Sequence, residues 1–300
     1  MKYSFMVAAI ALLAVSCQHN MVPSATAFTN AEIKNTNGQT ILAGHCSPAI
    51  LHTAGYKEWY DASFTGYTVD KATVSQISPL LQNKTIEVFL GSWCGDSKRE
   101  TPRMMKLLEE ASFDTSHIKL IFVDNATATY KQSPQHEEKG KNIHHVPTFI
   151  VYDGNKELGR IIESPVVSLE KDLQSILTHT PYTPNYKAVA YWLDKIKDRN
   201  KAMNKERLEG IAAEIKPLTT SYGEFSGYGH ILLAQKDLKE AMNIFLLNSY
   251  LFPDKAPVFD HLGEVYIATG NKEEAKKNYQ KALQLNAEDA TAKRMLIELK

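Results

Sequence analysis

The sequence is poor in cysteine, with three in 300 residues, and it carries no net charge, since 34 Lys and Arg residues balance 34 Asp and Glu residues. So few cysteines exclude a small scaffold that is held together by disulfides. The balanced charge gives no indication of a nucleic-acid partner. The sequence also lacks an apolar run of eighteen residues, a glycine-rich phosphate loop and a G-x-S-x-G motif.

The remaining composition is that of an ordinary globular protein. With 43% hydrophobic and 23% charged residues, the chain is neither largely disordered nor collagen-like. Its length favours two domains, on a prior of roughly 150 residues each. Pro181 and Pro184 interrupt the chain, so we expect one domain over residues 41–180 and a second over residues 181–300.

The first cysteine, Cys17, follows a short apolar segment. Lys2 precedes an apolar run over residues 5–15 that has the length of a signal segment. Residues 14–17, Ala-Val-Ser-Cys, resemble the lipobox of bacterial lipoproteins. The resemblance implies a signal peptide over 1–16, a lipidated tether over 17–40, and a membrane-anchored protein of the cell envelope that faces the periplasm or the cell surface. The alternative is an ordinary secretory signal in which Cys17 has no role.

Hydrophobic patterns predict an α/β order in the first domain. We expect strands at residues 86–90, 118–123, 146–152 and 158–162, and helices at residues 70–82, 94–111 and 168–178. The polar segment 125–143 is typical of an exposed insertion. This order favours a sheet that is covered by helices.

The second cysteine, Cys94, lies in a motif. Residues 93–97, Trp-Cys-Gly-Asp-Ser, follow a strand pattern, Pro102 comes eight residues after Cys94, and Pro147 begins a later strand. Over roughly residues 80–178 the sequence resembles the thioredoxin family. The resemblance implies a central mixed sheet flanked by helices, with Cys94 as nucleophile beside Trp93 and a substrate groove at a cis-Pro147.

Thiol–disulfide exchange needs a thiolate. Unpaired amide groups of a first helical turn stabilise a thiolate at Cys94, and Lys98 and Arg99 add positive charge. Asp96 opposes this effect. We expect the thiolate form to be favoured overall, with the hydroxyl of Ser97 as a hydrogen-bonding partner.

The departure from the family is that Ser97 occupies the position of its second cysteine, and Val88 that of its buried acid. Three alternatives follow. Cys94 forms mixed disulfides with exported thiol- or disulfide-containing proteins, which an external small thiol resolves; this is monothiol or isomerase-like exchange. Alternatively, the third cysteine, Cys46, resolves the mixed disulfide, although Cys46 could equally be a structural thiol. Finally, the domain has lost redox chemistry and only binds peptides.

The second domain contains a repeat. Gly229, Ala241 and Phe245 recur 34 residues later as Gly263, Ala275 and Tyr279. A period of 34 with these residue types resembles the tetratricopeptide repeat, which implies an all-α domain and a protein partner. Since two copies do not suffice for a stable stack, we expect a diverged helical pair over 186–216 and a capping helix over 288–299.

We predict no metal and no cofactor. The sequence has no C-x-x-C or H-x-x-x-H pattern. His144 and His145 are adjacent, and on a strand two adjacent side chains point to opposite faces. We therefore do not expect the two histidines to form a metal-chelating pair.

Overall fold

The structure is a computed structural model and describes residues 28–219 and 221–300. The predicted signal peptide, Cys17 and the tether up to residue 27 lie outside the described residues. Within the described ranges, no helix is both long enough and apolar enough to cross a membrane.

A mixed β-sheet organises the first half of the described chain. Its strands are β1 (Ala31–Lys34), β2 (Thr40–Cys46), β3 (Lys84–Leu90), β4 (Ile118–Phe122), β5 (Thr148–Asp153) and β6 (Lys156–Ile162). They lie in the order β1-β2-β4-β3-β5-β6. The central pair β3–β4 is parallel, and the other neighbours are antiparallel. The strands that were predicted from sequence are confirmed, with ends shifted by up to two residues.

Residues 31–34 correct the predicted tether. They form strand β1, which pairs with β2 from Ala31↔Ala43 to Lys34↔Thr40. The turn between the two strands is closed by Asn35, whose side-chain oxygen accepts hydrogen bonds from the amides of Asn37 and Gln39. The folded part therefore begins before residue 41.

Four helices pack on the sheet in this half: α1 (Lys57–Gly66), α2 (Lys71–Leu81), α3 (Gly95–Glu110) and α4 (Leu169–Leu177). Side-chain caps explain two of the helix starts, because Asp70 accepts from the amide of Thr73 and Ser168 from that of Lys171. Apolar residues of all four helices share one buried core with alternate strand residues such as Val88. The helices thus cover one face of the sheet.

The other face is covered by the connection between β4 and β5. Phe89, Ile121 and Ile150 from the strands pack there against Ile143 and Val146 of the connection. The prediction of an exposed insertion over 125–143 is wrong for part of the segment, because residues 131–133, 138 and 143 are buried, whereas residues 127–129 and 134–136 are exposed as predicted. Some of its polar groups are paired within the segment, as where Ser133 donates from its backbone amide to Glu138 over 2.9 Å.

The second half is helical throughout the described residues. Its helices are α5 (Lys187–Lys195), α6 (Lys205–Ile215), α7 (Gly223–Ala234), α8 (Leu238–Leu251), α9 (Ala256–Ala268), α10 (Lys272–Leu285) and α11 (Ala290–Glu298). The pair α5–α6 and the last helix α11 occur where the repeat pattern predicted them.

The repeated glycines explain how the helical pairs pack. A Cβ atom on Gly229 of α7 would lie 2.5 Å from the ring of Phe245 on α8. A Cβ atom on Gly263 of α9 would lie equally close to the ring of Tyr279 on α10. Each glycine therefore lets an aromatic ring of the paired helix rest against its backbone.

Candidate functional site

Cys94 lies at the junction of β3 and α3. It is the N-cap residue of α3 and has an extended backbone, and its amide donates to the carbonyl of Gly91 over 2.9 Å, which closes the turn after the strand. The side chain is partly exposed. Its thiol donates to the carbonyl of Val146, with 3.3 Å between Sγ and O. The sulfur thus lies between the first turn of a helix and the backbone that precedes β5.

Trp93 fixes this turn against the sheet. Its Nε1 donates to the carbonyl of Val123 over 2.9 Å, and its ring packs beside that of Tyr130. Gly91 is required below it, because a Cβ atom there would lie 2.5 Å from the indole ring. Trp93 therefore holds Cys94 in place through packing and one hydrogen bond.

Ser97 and Asp96 differ from what the motif predicted. Ser97 is 1% exposed, and its hydroxyl accepts from the amide of Gly91 over 3.1 Å. Its role is to pair a buried backbone amide, and it makes no hydrogen bond to Cys94 among the described residues. Asp96 pairs with Arg99 at 2.7 Å on the first turns of α3, so each partly offsets the charge of the other near the thiol.

Pro147 lies opposite Cys94. The Val146–Pro147 peptide bond is cis, as the resemblance predicted. The carbonyl of Pro147 accepts from the amide of Glu163 over 2.6 Å, and Thr148 donates its hydroxyl to the carbonyl of His145 over 2.7 Å. These bonds fix the loop whose backbone faces the sulfur.

A buried lysine near Cys94 was not found from the sequence. Nζ of Lys131 donates to the carbonyl of His144 over 2.6 Å. Burial lowers the pKa of Lys131 to about 8, while the negative charges of a Cys94 thiolate and of Glu163 act to raise it. The lysine lies in the segment that was predicted to be exposed. Lys131 is recognised as a residue near Cys94 only from its position in the folded structure, because no local sequence pattern marks it.

Glu163 is the acidic counterpart of Lys131. Burial raises the pKa of its carboxyl, whereas the hydroxyl of Tyr186, which donates to this carboxylate, lowers it. Asp96 raises the pKa further through repulsion. Tyr186 immediately precedes α5, so Glu163 joins the surroundings of Cys94 to the helical half.

His144 and His145 correct another expectation. They lie in a loop ahead of β5, where strand alternation does not apply, and their Nδ1 atoms are 2.8 Å apart. The ring of His145 stacks on that of Tyr186 at 3.7 Å between centroids. Burial lowers the pKa of His144 to about 3 and that of His145 well below its ordinary value. Both rings are therefore neutral, and they pack between the sheet and the helical half.

Cys46 lies apart from Cys94. It is fully buried at the end of β2, and burial raises the pKa of its thiol to about 11. Cys46 pairs with Leu120 of β4, which in turn pairs with Val88 of β3. No disulfide joins Cys46 to Cys94, since both thiols are free, Cys46 in the interior and Cys94 partly exposed.

No group of three or more His, Cys, Asp or Glu side chains within residues 28–219 and 221–300 is arranged to hold a metal ion. The groups near Cys94 are instead the buried ammonium of Lys131, the partly buried carboxyl of Glu163 and backbone carbonyls. Such surroundings suit a reaction of the sulfur itself.

Comparison with known proteins identifies one segment. A family model of the tetratricopeptide repeat matches residues 256–289, which confirms the second predicted copy of the repeat. A search of curated proteins finds no match to the chain. The repeat suggests a protein–protein interaction through the helical half.

Proposed function

We propose that the chain carries out thiol–disulfide exchange on exported proteins, with Cys94 as the nucleophile of a thioredoxin-like domain. The observation that carries the proposal is the position of Sγ. It lies at the first turn of α3 and 3.3 Å from the carbonyl of Val146, next to cis-Pro147. An extended substrate segment that lies along this loop would bring its disulfide to the sulfur.

Lys131 supports the proposal as a positioning residue. A thiolate at Cys94 is stabilised by a nearby ammonium group, and burial limits the screening of that charge by water. With a pKa of about 8, Lys131 is largely charged at pH 7. The α3 N-terminus contributes in the same direction.

The exchange proceeds in two balanced steps. The Cys94 thiolate attacks one sulfur of a substrate disulfide, forms a mixed disulfide and displaces the other substrate sulfur as a thiolate, which takes up a proton. A second thiolate then attacks the substrate sulfur of the mixed disulfide and releases Cys94. Ser97 has no thiol, and Cys46 is fully buried with a pKa that burial raises to about 11. In this proposal the second thiolate therefore comes from a small external thiol or from the substrate itself. The latter case is isomerisation.

The location of the protein belongs to the same proposal. Cys17 would carry lipid after removal of residues 1–16, which would hold the chain at the membrane of the cell envelope. Since disulfides persist outside the cytoplasm, this location would supply the substrates that the reaction needs. The helical half would then hold a partner or the substrate protein.

The test is the reactivity of Cys94 in the native chain. We expect iodoacetamide to alkylate Cys94 at pH 7 at least tenfold faster than a cysteine in an unstructured peptide, and glutathione disulfide to form a mixed disulfide at Cys94. Lys131→Met should slow alkylation several-fold at pH 7. It should have little effect at pH 10, because the lysine is then uncharged and no longer stabilises the thiolate. Peptide mapping by mass spectrometry measures each site.

Two further variants act as controls. Cys46→Ala should leave the reaction of Cys94 unchanged, and Cys94→Ser should abolish reshuffling of a scrambled disulfide protein in a glutathione buffer. If Cys94 reacts no faster than a free cysteine and Cys94→Ser reshuffles as well as the parent, thiol exchange is refuted. The peptide-binding alternative would then remain for this domain.

A further inference from the structure

A cavity lies in the helical half, away from Cys94. It has a volume of about 740 Å³ and lies between α7, α9, α10 and the beginning of α11. This size is within the range of about 300–1,000 Å³ that is typical of ligand sites. Its wall is acidic, with Asp260, Glu264, Glu288 and Asp289 among the lining residues.

Asp260 is the unusual member of this wall. The residue is 9% exposed, and its Oδ1 atom is buried and has no hydrogen-bond partner among the described residues. An unpaired buried carboxylate oxygen is costly, and folded proteins rarely retain one without a reason. Because Asp260 lines the cavity, a molecule in the cavity is in position to donate the missing hydrogen bond.

Asp289 adds a second carboxylate at the same place. Its Oδ1 accepts from the amide of Ala292 over 3.0 Å and so caps α11. Asp289 also contacts Asp260, and burial, repulsion from Asp289 and hydrogen bonding between the two carboxyl groups raise the pKa of Asp260 to about 7. Two carboxyl groups in contact favour a cation between them.

The basic groups around the cavity are already engaged. His230 pairs with Glu264 at 3.1 Å, and Arg294 pairs with Glu298 at 2.8 Å. His261 contacts the hydroxyl of Ser226, and burial lowers its pKa to about 4, so it is neutral at pH 7. The remaining titratable lining groups are Glu288 at the rim, which pairs with Lys293, and the buried Tyr279. Within the part of the chain that the structure describes, no basic side chain forms an ion pair with Asp260 or Asp289.

The cavity shares lining residues with a neighbouring one. His230 and Glu264 line a neighbouring cavity of about 580 Å³, whose opposite wall includes Asn125 and Tyr130 of the β4–β5 connection. Tyr130 in turn lies beside Trp93 at the Cys94 turn. An occupant of both cavities is long, which favours a polypeptide segment over a small amine.

We propose that the cavity binds a lysine or arginine side chain of a partner polypeptide, held by charge-assisted hydrogen bonds to Asp260 and Asp289. Such bonds are about twice as strong as neutral ones, and the ammonium or guanidinium group supplies the donor that Oδ1 of Asp260 lacks. The described acidic groups are not arranged to hold a metal ion, which is why the cation is organic. This site stands independently of the proposed thiol exchange.

The experiment uses the full chain carrying Cys94→Ser, so that its outcome does not depend on thiol chemistry. Blocked alanine-based octapeptides with one central lysine, arginine or norleucine are titrated at pH 8 by calorimetry. We expect the lysine and arginine peptides to bind at least tenfold more tightly than the norleucine peptide. Putrescine, which offers an ammonium group without a peptide, should bind more weakly than the lysine peptide.

Variants then locate the site. Asp260→Asn should weaken binding of the lysine peptide at least tenfold, and Asp289→Asn should do the same while it retains a side chain that can cap α11. The matched control is Glu273→Gln, an exposed acid on α10 that pairs with Lys276, which should bind normally. Thermal melts establish that each variant is folded.

Several results would overturn the proposal. These are no binding of the lysine or arginine peptides at millimolar concentration, equal binding of the norleucine peptide, equal binding of putrescine, or undiminished binding by folded Asp260→Asn. Failure here leaves the reactivity of Cys94 untouched. Failure of the Cys94 test likewise leaves this binding assay intact.

Discussion

Ser97 shows how one residue can satisfy a motif and yet have another role. The motif predicted a hydroxyl that supports a thiolate. In the structure the hydroxyl accepts from the amide of Gly91, and both groups are buried. Removing one partner of a buried hydrogen bond leaves the other unsatisfied, which costs about 1–3 kcal/mol.

The prediction at this scale concerns Ser97→Ala. We expect it to lower the free energy of unfolding by about 1–3 kcal/mol, because the Gly91 amide loses its acceptor. Urea unfolding of the chain measures the change. Ser75→Ala is the control, since Ser75 is exposed on α2 and donates to the carbonyl of Ala72; it should change stability by less than about 0.5 kcal/mol. Equal effects of the two substitutions would contradict the structural role of Ser97.

At the scale of helices, close approach at Gly229 and Gly263 defines the repeat. Both glycines face an aromatic ring of the paired helix at a distance that no Cβ atom can occupy. The rings, of Phe245 and Tyr279, are themselves fully or almost fully buried. A side chain at either glycine would therefore push the two helices of a pair apart.

The corresponding prediction is that Gly229→Ala destabilises the chain. Overpacking of a buried contact costs about 1–3 kcal/mol, and Phe245 is fully buried. Gly210→Ala is the matched control, because Gly210 also lies within a helix but a Cβ atom there meets nothing within 4 Å. Gly210→Ala should stabilise the folded chain by about 0.5–1 kcal/mol. Thermal melts compare the two variants, and a stabilising Gly229→Ala would refute the packing explanation.

At the scale of the whole molecule, His144 and His145 join the two halves in their neutral form. They contact Tyr186 and, for His144, Tyr228 of α7, and a Cβ atom on Gly227 would lie 3.2 Å from the ring of His145. The pKa of His144 falls to about 3 in the folded chain because of burial. An unfolded histidine takes up its proton near pH 6.5.

The stability of the folded chain should decrease as the pH falls. Below about pH 6.5 a histidine of the unfolded chain binds a proton, whereas His144 of the folded chain stays neutral. The contribution of His144 to stability is therefore complete above pH 6.5 and declines towards pH 3. We expect His144→Gln to reduce the slope of unfolding free energy between pH 6.5 and 5 by up to about 1.4 kcal/mol per pH unit. Urea unfolding across that range measures it. His52→Gln, at an exposed histidine, should leave the slope unchanged, and parallel curves for the parent and His144→Gln would contradict the argument.

The elements that the sequence predicted are those with a strong local pattern. The β3 and β4 strands are rich in apolar and β-branched residues, and the caps at Asp70 and Ser168 mark helix starts. The 34-residue period likewise identified the repeat helices. Strand β1 was missed because its sequence, Ala-Glu-Ile-Lys, is short and half polar, and it is stabilised by pairing with β2 rather than by its own composition.

The surroundings of Cys94 were predictable only in part. The residues within the motif and Pro147 have fixed spacings, which a sequence displays. Lys131 and Glu163 reach the same place through the β4–β5 connection and the end of β6. Their approach depends on tertiary contacts across 32 or more residues of chain, and no periodicity encodes it.

The burial of Cys46 has a consequence for measuring the molecule's motions. With 0% exposure and a pKa of about 11, its thiol can react with an alkylating reagent only when β2 leaves the sheet. The time course of Cys46 modification therefore records how often the sheet opens, while Cys94 in the same sample records the folded state. The native cysteine thus reports the rate of opening of the sheet, and no probe residue has to be introduced by mutation.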